Sequence, residues 1–481
     1  IPVPEGLLSG TSDWRVTVES KDRELQIEAV TSGQGLKSDL PLPLTKLDAD
    51  SDGSIRVQIA RREGVFEVEG AVFDRVRFSG DLAADPVTLQ VQASEIDLLG
   101  WAGFGGTGDA TNLTIMMTLE RALLGETPLA IDALRFERTP RSLVVRIDGE
   151  DLSGTVSRAG QDPVSIRLDR IRLPEGGEFL DPPGDDPLAR FDPGSLPPLA
   201  VAIELLERGT QRYERLYLDI RPGPARLDVN NLSFVRNAQL FTGELAWDEG
   251  EGGARSALIL RAQGPDLGNF LRVNESQALL EAKRGQLTMS VQWAGSPLAF
   301  SPLTAEGEIS LSLEDGRFLE LGNTAEVLRL FGILNIETLT RRLRLDFLDL
   351  VKPGVAFDAV KAQARLGDGV LRLNPALEMQ GPASSFRLTG DADLRSKTLQ
   401  QRLAVDIPLT GNLPLASVLL GAPQIGGAIY FVEKAFGTKI IRVGKTEYAI
   451  EGAFSDPKIS LIPPFTKPKE TPNAQSNRDP Q

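Results

Sequence analysis

The sequence predicts a mainly β fold, a long antiparallel sheet, and three observations carry that prediction. Apolar and polar residues alternate with a period of two along most of the chain. Asp-Gly pairs at 52–53, 148–149, 315–316 and 368–369 punctuate the alternation with turn chemistry. Aromatics make up only 6% of the 481 residues while Gly (47) and Pro (32) are plentiful, a composition suited to many short segments joined by turns.

The strands follow in chain order. Trp14, Val16 and Val18 alternate with Arg15, Thr17 and Glu19, and Leu25, Ile27 and Ala29 continue the pattern. Ile55, Val57 and Ile59 stand against Arg56 and Gln58; then come Val87, Leu89 and Val91, followed by Val164, Ile166 and Leu168. Leu216, Leu218 and Ile220, then Leu287, Met289 and Val291, then Ile309, Leu311 and Leu313 repeat it. Each such strand has one apolar and one wet face.

Helical patterning is scarce. Asn112 to Leu124 reads as one amphipathic helix, Asn323 as the cap of a second with Val327, Leu328, Phe331 and Leu334 as its stripe, and 413–436 as a third helical region. Residues 174–198 form a Pro/Gly/Asp-rich connector, and 463–481 a polar, Pro-rich tail expected to be disordered. The expected organisation is therefore 1–173, the connector 174–198, 199–315 continuing the sheet, 316–462 with short helices, and the tail 463–481.

What is absent excludes more. With 52 Lys+Arg against 67 Asp+Glu the net charge is −15, which argues against nucleic acid. The chain has no Cys and no His, which removes thiol nucleophiles, His-dependent triads and the commonest metal ligands. No catalytic residue, metal or cofactor is expected. The first residue is Ile1, so the chain is read as processed or as a fragment, with any anchor preceding it.

Two motifs invite chemistry and are set aside. Residues 103–108 satisfy G-x-G-x-x-G, but a dinucleotide fingerprint needs a βαβ unit and the surroundings alternate as β. Asp48, Asp50, Asp52 and Gly53 imitate a calcium loop, yet position 12 is Ile59 where a Glu is required; a solvated turn is preferred. The stretch 413–432 carries no charge but is broken by Gly421, Pro423, Gly426 and Gly427. Two short helices are expected there, either plugging the sheet or lying in a membrane interface through Val418, Leu419, Leu420, Ile425, Ile429, Phe431 and Val432.

The C-terminal third resembles the YhdP branch of the AsmA-like proteins of Gram-negative envelopes. The matching stretches are collinear: Gly285 to Pro297 with Trp293 and Gly295, Gly307 to Leu319 with Gly316 and Phe318, Leu330 to Leu334, and Arg342 to Phe347. Gly354 to Asp358, Gly381 to Ala383, Leu413 to Leu415, Tyr448 to Gly452, and Asp456-Pro457 complete them. Phe454 and Ala422 depart from the pattern, where Trp and Gly are usual.

The resemblance implies a long twisted sheet curled into an open half-pipe with an apolar inside. It also implies a periplasmic protein, anchored to the inner membrane by a segment absent here, that carries phospholipid between the inner and outer membranes. No protein partner is implied. The residues expected to line the trough are Val57, Ile59, Leu89, Val91, Ile166, Leu168, Leu216, Leu218, Leu287, Met289, Val291, Ile309, Leu311, Leu313, Leu345 and Phe347. Alternation alone leaves other readings open: a scaffolding envelope protein whose sheet is filled by its own side chains, or a glycan-active β enzyme with a carboxylate pair in a cleft.

Overall fold

The structure is a computed structural model and describes residues 6–21, 24–49, 51, 53–62, 65–102, 112–175, 180, 184–186, 188–189, 194, 196–250, 253–264, 267, 280–319, 354–381, 385–406 and 445–462. It is mainly β and not closed into a barrel. Two compact units divide the chain, one of residues 1–261 with 292–301, the other of 262–291 with 302–481.

In the first unit the strands are β1 (Leu8–Gly10), β2 (Arg15–Lys21), β3 (Glu24–Thr31), β4 (Leu36–Ser38), β5 (Ile55–Arg62), β6 (Val65–Val72), β7 (Val76–Asp81) and β8 (Val87–Asp97). A short helix, α1 (Leu98–Ala102), precedes β9 (Leu113–Leu124), β10 (Thr127–Leu129), β11 (Ala133–Arg138), β12 (Ser142–Asp148), β13 (Leu152–Ala159) and β14 (Val164–Leu173). Then come β15 (Leu199–Arg208), β16 (Gln211–Pro222), β17 (Arg226–Arg236), β18 (Gln239–Gly250) and most of β19 (Gly253–Gly264). β1 pairs β4 in a sheet of its own. Most other strands pair with their neighbours in sequence, antiparallel, because short turns connect them.

Two junctions are parallel instead: β8 with β9, and β14 with β15. Parallel neighbours need a connection of a dozen or more residues, and these two junctions are the ones separated by long intervals of sequence, 98–112 and 174–198. The sheet is thus mixed rather than wholly antiparallel.

Residues 112–124, expected as a helix, are strand β9 from Leu113 onward. The reason is a three-residue step within strands. Buried positions advance by two along β9 and β14 and then by three, from Leu119 to Ala122 and from Leu168 to Ile171. Opposite the latter, the register of β13 and β14 shifts between Ser153 and Gly154, a bulge that admits an extra residue. At Gly154 φ is +145°, and a Cβ there would lie 2.3 Å from the Arg167 carbonyl oxygen, so glycine is required.

The core of this unit gathers beyond that step. Ile96, Ala122, Leu129, Ile131, Leu152 and Ile171 are buried together, with Leu98 and Trp101 packed against them. Asp97 fixes the start of α1 by accepting from the Gly100 N–H at 2.9 Å. The Trp101 indole donates to the Leu42 carbonyl at 2.6 Å, which brings the segment after β4 onto the same core.

The second unit contains most of β20 (Leu280–Ala294), then β21 (Glu306–Leu319), β22 (Gly354–Gly367), β23 (Val370–Gln380), β24 (Ser385–Asp393), β25 (Thr398–Asp406), β26 (Lys445–Ala453) and β27 (Asp456–Ile462). From β21 to β27 every consecutive pair is antiparallel. Asp368 and Gly369, both at positive φ, make the two-residue hairpin expected of them. Asp315-Gly316 is no turn: it lies inside β21, whose ladder to β22 continues past it. The expected helices at 323–334 and 413–436 lie outside the described residues, and among the described residues no helix is long and apolar enough to cross a membrane.

Candidate functional site

Residues directly opposite one another in a ladder project from the same face of the sheet, so the register can be followed from strand to strand. Val18 of β2 faces Ile27, Ile59, Val68, Gly80 and Leu89 in turn. Leu89 faces Ile115, and the row continues through Phe136, Val145, Val156, Ile166, Val201 and Leu218 on β16. Two residues along each strand runs a second row. It starts at Val16 and passes Ala29, Val57, Gly70, Phe78 and Val91, then Met117, Leu134, Ile147, Gly154, Leu168, Ile203 and Leu216. Every residue of these two rows is apolar or glycine.

The opposite face is wet. Its matching row reads Thr17, Glu28, Gln58, Glu69, Ser79 and Gln90, and further on Arg135, Arg146, Thr155 and Arg167. Ion pairs lace it: Arg146 and Arg135 both reach Glu137, at 3.0 and 2.7 Å, and Arg121 reaches Glu95 at 2.8 Å. Burial opposes ionisation of Glu137, but its bonds and charge attraction to Arg146 and Arg135 outweigh this and lower its pKa.

Eight residues expected to line a trough, Val57, Ile59, Leu89, Val91, Ile166, Leu168, Leu216 and Leu218, therefore share one face in two adjacent rows. Their cover differs along the strands. In the first row every residue from Ile27 to Leu218 except Val68 is only half-buried, and Val18 at the edge is 62% exposed. In the second row Val91, Leu134, Ile147 and Leu168 are buried, and beyond it lies the packed core with α1. Protein closes this face at one end of the strands and leaves the hydrocarbon of the first row in contact with solvent.

In the second unit, Ile309, Leu311 and Leu313 lie on one face of β21, opposite Ala364, Ala362 and Val360 of β22. Leu287, Met289 and Val291 share a face of β20 with Gly285, where an added Cβ would lie 3.1 Å from Leu313. Here the cover is greater: Val291, Leu313, Val360, Leu399 and Ile450 are all at most 3% exposed, whereas Leu287, Met289, Ile309 and Leu311 are half-buried. Leu345, Phe347 and the set at 418–432 lie outside the described residues.

Three features had no part in the sequence-based expectation. The first is Lys46, buried, whose ammonium donates to the carbonyls of Leu36, Asp48 and Ala49 at 2.7, 2.7 and 3.2 Å. An internal cation thus organises the segment that imitates a calcium loop; Asp50 and Asp52 lie outside the described residues. The second is a clasp on the connector. Asp186 accepts from the Ser296 N–H at 2.8 Å and hydroxyl at 2.6 Å, the Trp293 indole donates to the Ser296 carbonyl at 2.8 Å, and the Ser256 hydroxyl donates to the Gly295 carbonyl at 2.9 Å. Burial raises the Asp186 pKa, but the Ser296 and Leu188 donors more than offset it and hold the carboxyl below its ordinary range. The third is a pair of arginines, Arg138 and Arg158, on the apolar side of β11 and β13. Their sequence signal was a charge at a position the alternation assigns to the apolar face.

Comparison with known proteins adds identity to this geometry. No solved structure matches the chain. The intermembrane phospholipid transporter YhdP of Escherichia coli (strain K12) is 23% identical over 252 residues, which is 52% of this chain and 20% of that relative, so the chain spans only about a fifth of it. The family described as YhdP protein matches residues 5–459, nearly the whole length, and the chain belongs to that family.

Proposed function

We propose that this chain carries the acyl chains of phospholipids along its apolar face, as a portion of a protein that moves lipid between the inner and outer membranes across the periplasm. The observation that supports this reading best is the first apolar row, continuous from β2 to β16 and only half-buried. A self-filled sheet would cover that row with protein.

The physical case is a matter of barrier height. A chain of about sixteen carbons exposed to water is unfavourable by roughly 0.8 kcal/mol per methylene, or ~12 kcal/mol. Aliphatic side chains in unbroken rows remove most of that while a headgroup stays wet. Such a role asks nothing of a nucleophile or a general base; it asks for hydrocarbon placed in register.

Native mass spectrometry of the purified chain, followed by lipid extraction, tests the proposal. Bound diacyl phospholipid is expected. A protein that carries no lipid after incubation with phospholipid vesicles would favour the scaffolding reading instead.

A further inference from the structure

A third row lies on the same face, two residues beyond the first and away from the packed core. Leu113, Arg138, Leu143 and Arg158 stand opposite one another on β9, β11, β12 and β13. Aliphatic residues continue it on either side, with Val87 opposite Leu113 and Val164 the first residue of β14. Two arginines therefore interrupt a hydrocarbon row, one strand apart from each other across Leu143. With strands about 4.8 Å apart their backbones are separated by about 10 Å.

Both side chains are half-buried, and the Nε of each is shielded from solvent without a hydrogen-bond partner. Neither guanidinium has an ion pair or hydrogen bond among the described residues. Arginines elsewhere in this sheet show what is missing. Arg135, Arg146 and Arg121 on the wet face are paired with carboxylates. Arg61, on the apolar face of β5, lies over the Phe66 ring at 5.3 Å. Leaving a donor buried and unpaired is unfavourable, and two such donors in one row of an aliphatic surface, flanking Leu143, point to a ligand that is anionic at one end and apolar at the other.

We propose that Arg138 and Arg158 form a binding site for the phosphodiester of a phospholipid whose acyl chains lie on the half-buried first row. The inference rests on the function proposed above and adds a headgroup position to it. Guanidinium presents a planar fork of N–H donors that matches phosphate oxygens, and it tolerates an apolar setting better than an ammonium. Next to Arg158 on this face of β13, Val156 belongs to the half-buried first row, which crosses β14 and β15 to Leu218 on β16, three strand spacings or about 14 Å. The hydrocarbon of one bilayer leaflet is about 15 Å deep, so a lipid with its phosphate at the arginines has a half-buried apolar bed about as long as its tails.

The experiment offers the full chain vesicles of phosphatidylglycerol doped with diacylglycerol of the same acyl composition, and measures both retained lipids by mass spectrometry. The wild-type chain is expected to retain phosphatidylglycerol over diacylglycerol. The R138Q/R158Q variant should lower that preference about tenfold or more while retaining diacylglycerol as before, which also reports that the variant is folded. The wet-face variant R77Q/R167Q should behave as wild type.

An unchanged preference in R138Q/R158Q overturns the headgroup site and leaves the apolar groove standing. Retention of neither lipid by the wild type overturns both. If inorganic phosphate alone, at millimolar concentration, protects the wild type but not R138Q/R158Q against heat and displaces no lipid, the site belongs to a free anion and the lipid assignment is overturned.

Discussion

Replacing Ile166 by Asp sets a carboxylate in the middle of the first apolar row, between Val156 and Val201 on the neighbouring strands. Ile166 is only half-buried, so it contributes to folding about half of the ~2 kcal/mol of a fully buried aliphatic side chain. A carboxylate there keeps its water in the lipid-free protein, and the expected loss of stability is about 1 kcal/mol. An acyl chain lying over it would strip that water, at a cost of at least ~2 kcal/mol, so lipid retention should fall about thirtyfold. Leu168, two residues on and 8% exposed, is the internal comparison. Leu168→Asp buries the charge in the folded protein itself and should cost more than about 3 kcal/mol of stability. Urea denaturation of both variants and lipid extraction from Ile166→Asp check the pair. The reasoning is refuted if Ile166→Asp destabilises as much as Leu168→Asp, or if a folded Ile166→Asp protein retains lipid like the wild type.

Further outcomes follow from the same structure. Ile147→Ala, at a site 6% exposed, should cost about 2–4 kcal/mol in urea denaturation, in contrast to Val145→Ala in the half-buried row, at about 1 kcal/mol or less. Gly154→Ala forces a Cβ to within 2.3 Å of the Arg167 carbonyl oxygen and should lower the melting temperature by several degrees. The Asp186 carboxyl is held below its ordinary pKa in the folded protein. Its stabilisation is therefore full above the unfolded value near 3.9 and declines as pH falls through the lowered folded value. Asp186→Asn should remove that part of the acid sensitivity, seen as a shallower melting-temperature profile below about pH 4. Millimolar calcium should leave the melting temperature of the wild type unchanged, because the Lys46 ammonium already occupies the carbonyls at 36, 48 and 49.

Much of this fold was legible because alternation with period two is a local property. Val57, Ile59, Leu89 and Val91 announce their face without knowledge of their partners, and the short turns that set antiparallel register fall where Asp-Gly pairs mark them, as at 368–369. The parts that escaped have a shared physical cause. Along β9 the buried positions change from a step of two to a step of three, which is also the spacing of a helix face, so Leu119 and Ala122 read as helical when they are extended. Asp315 illustrates the converse, a turn-forming pair absorbed inside a strand.

The parallel junctions escaped for another reason. The Gly-rich and Pro-rich stretches before β9 and β15 were evident as loops, yet nothing local distinguishes a loop that returns beside its own strand from one that crosses the sheet. Asp186 depends on a segment 110 residues away, and only the strand register sets Arg138 and Arg158 in one row; Lys46 is held by carbonyls close to it in sequence, but main-chain oxygens leave no residue-type signal.

The strand-by-strand ladder of the first unit has a corollary for how such a chain responds to change in length. Each rung is held by the rung on either side, as in linear repeat proteins, so inserting or deleting one hairpin would lengthen or shorten the greasy track by about 10 Å without rebuilding a central nucleus. Span becomes a countable quantity, tuned in whole hairpins, and a family built this way can match gaps of different width by accretion alone.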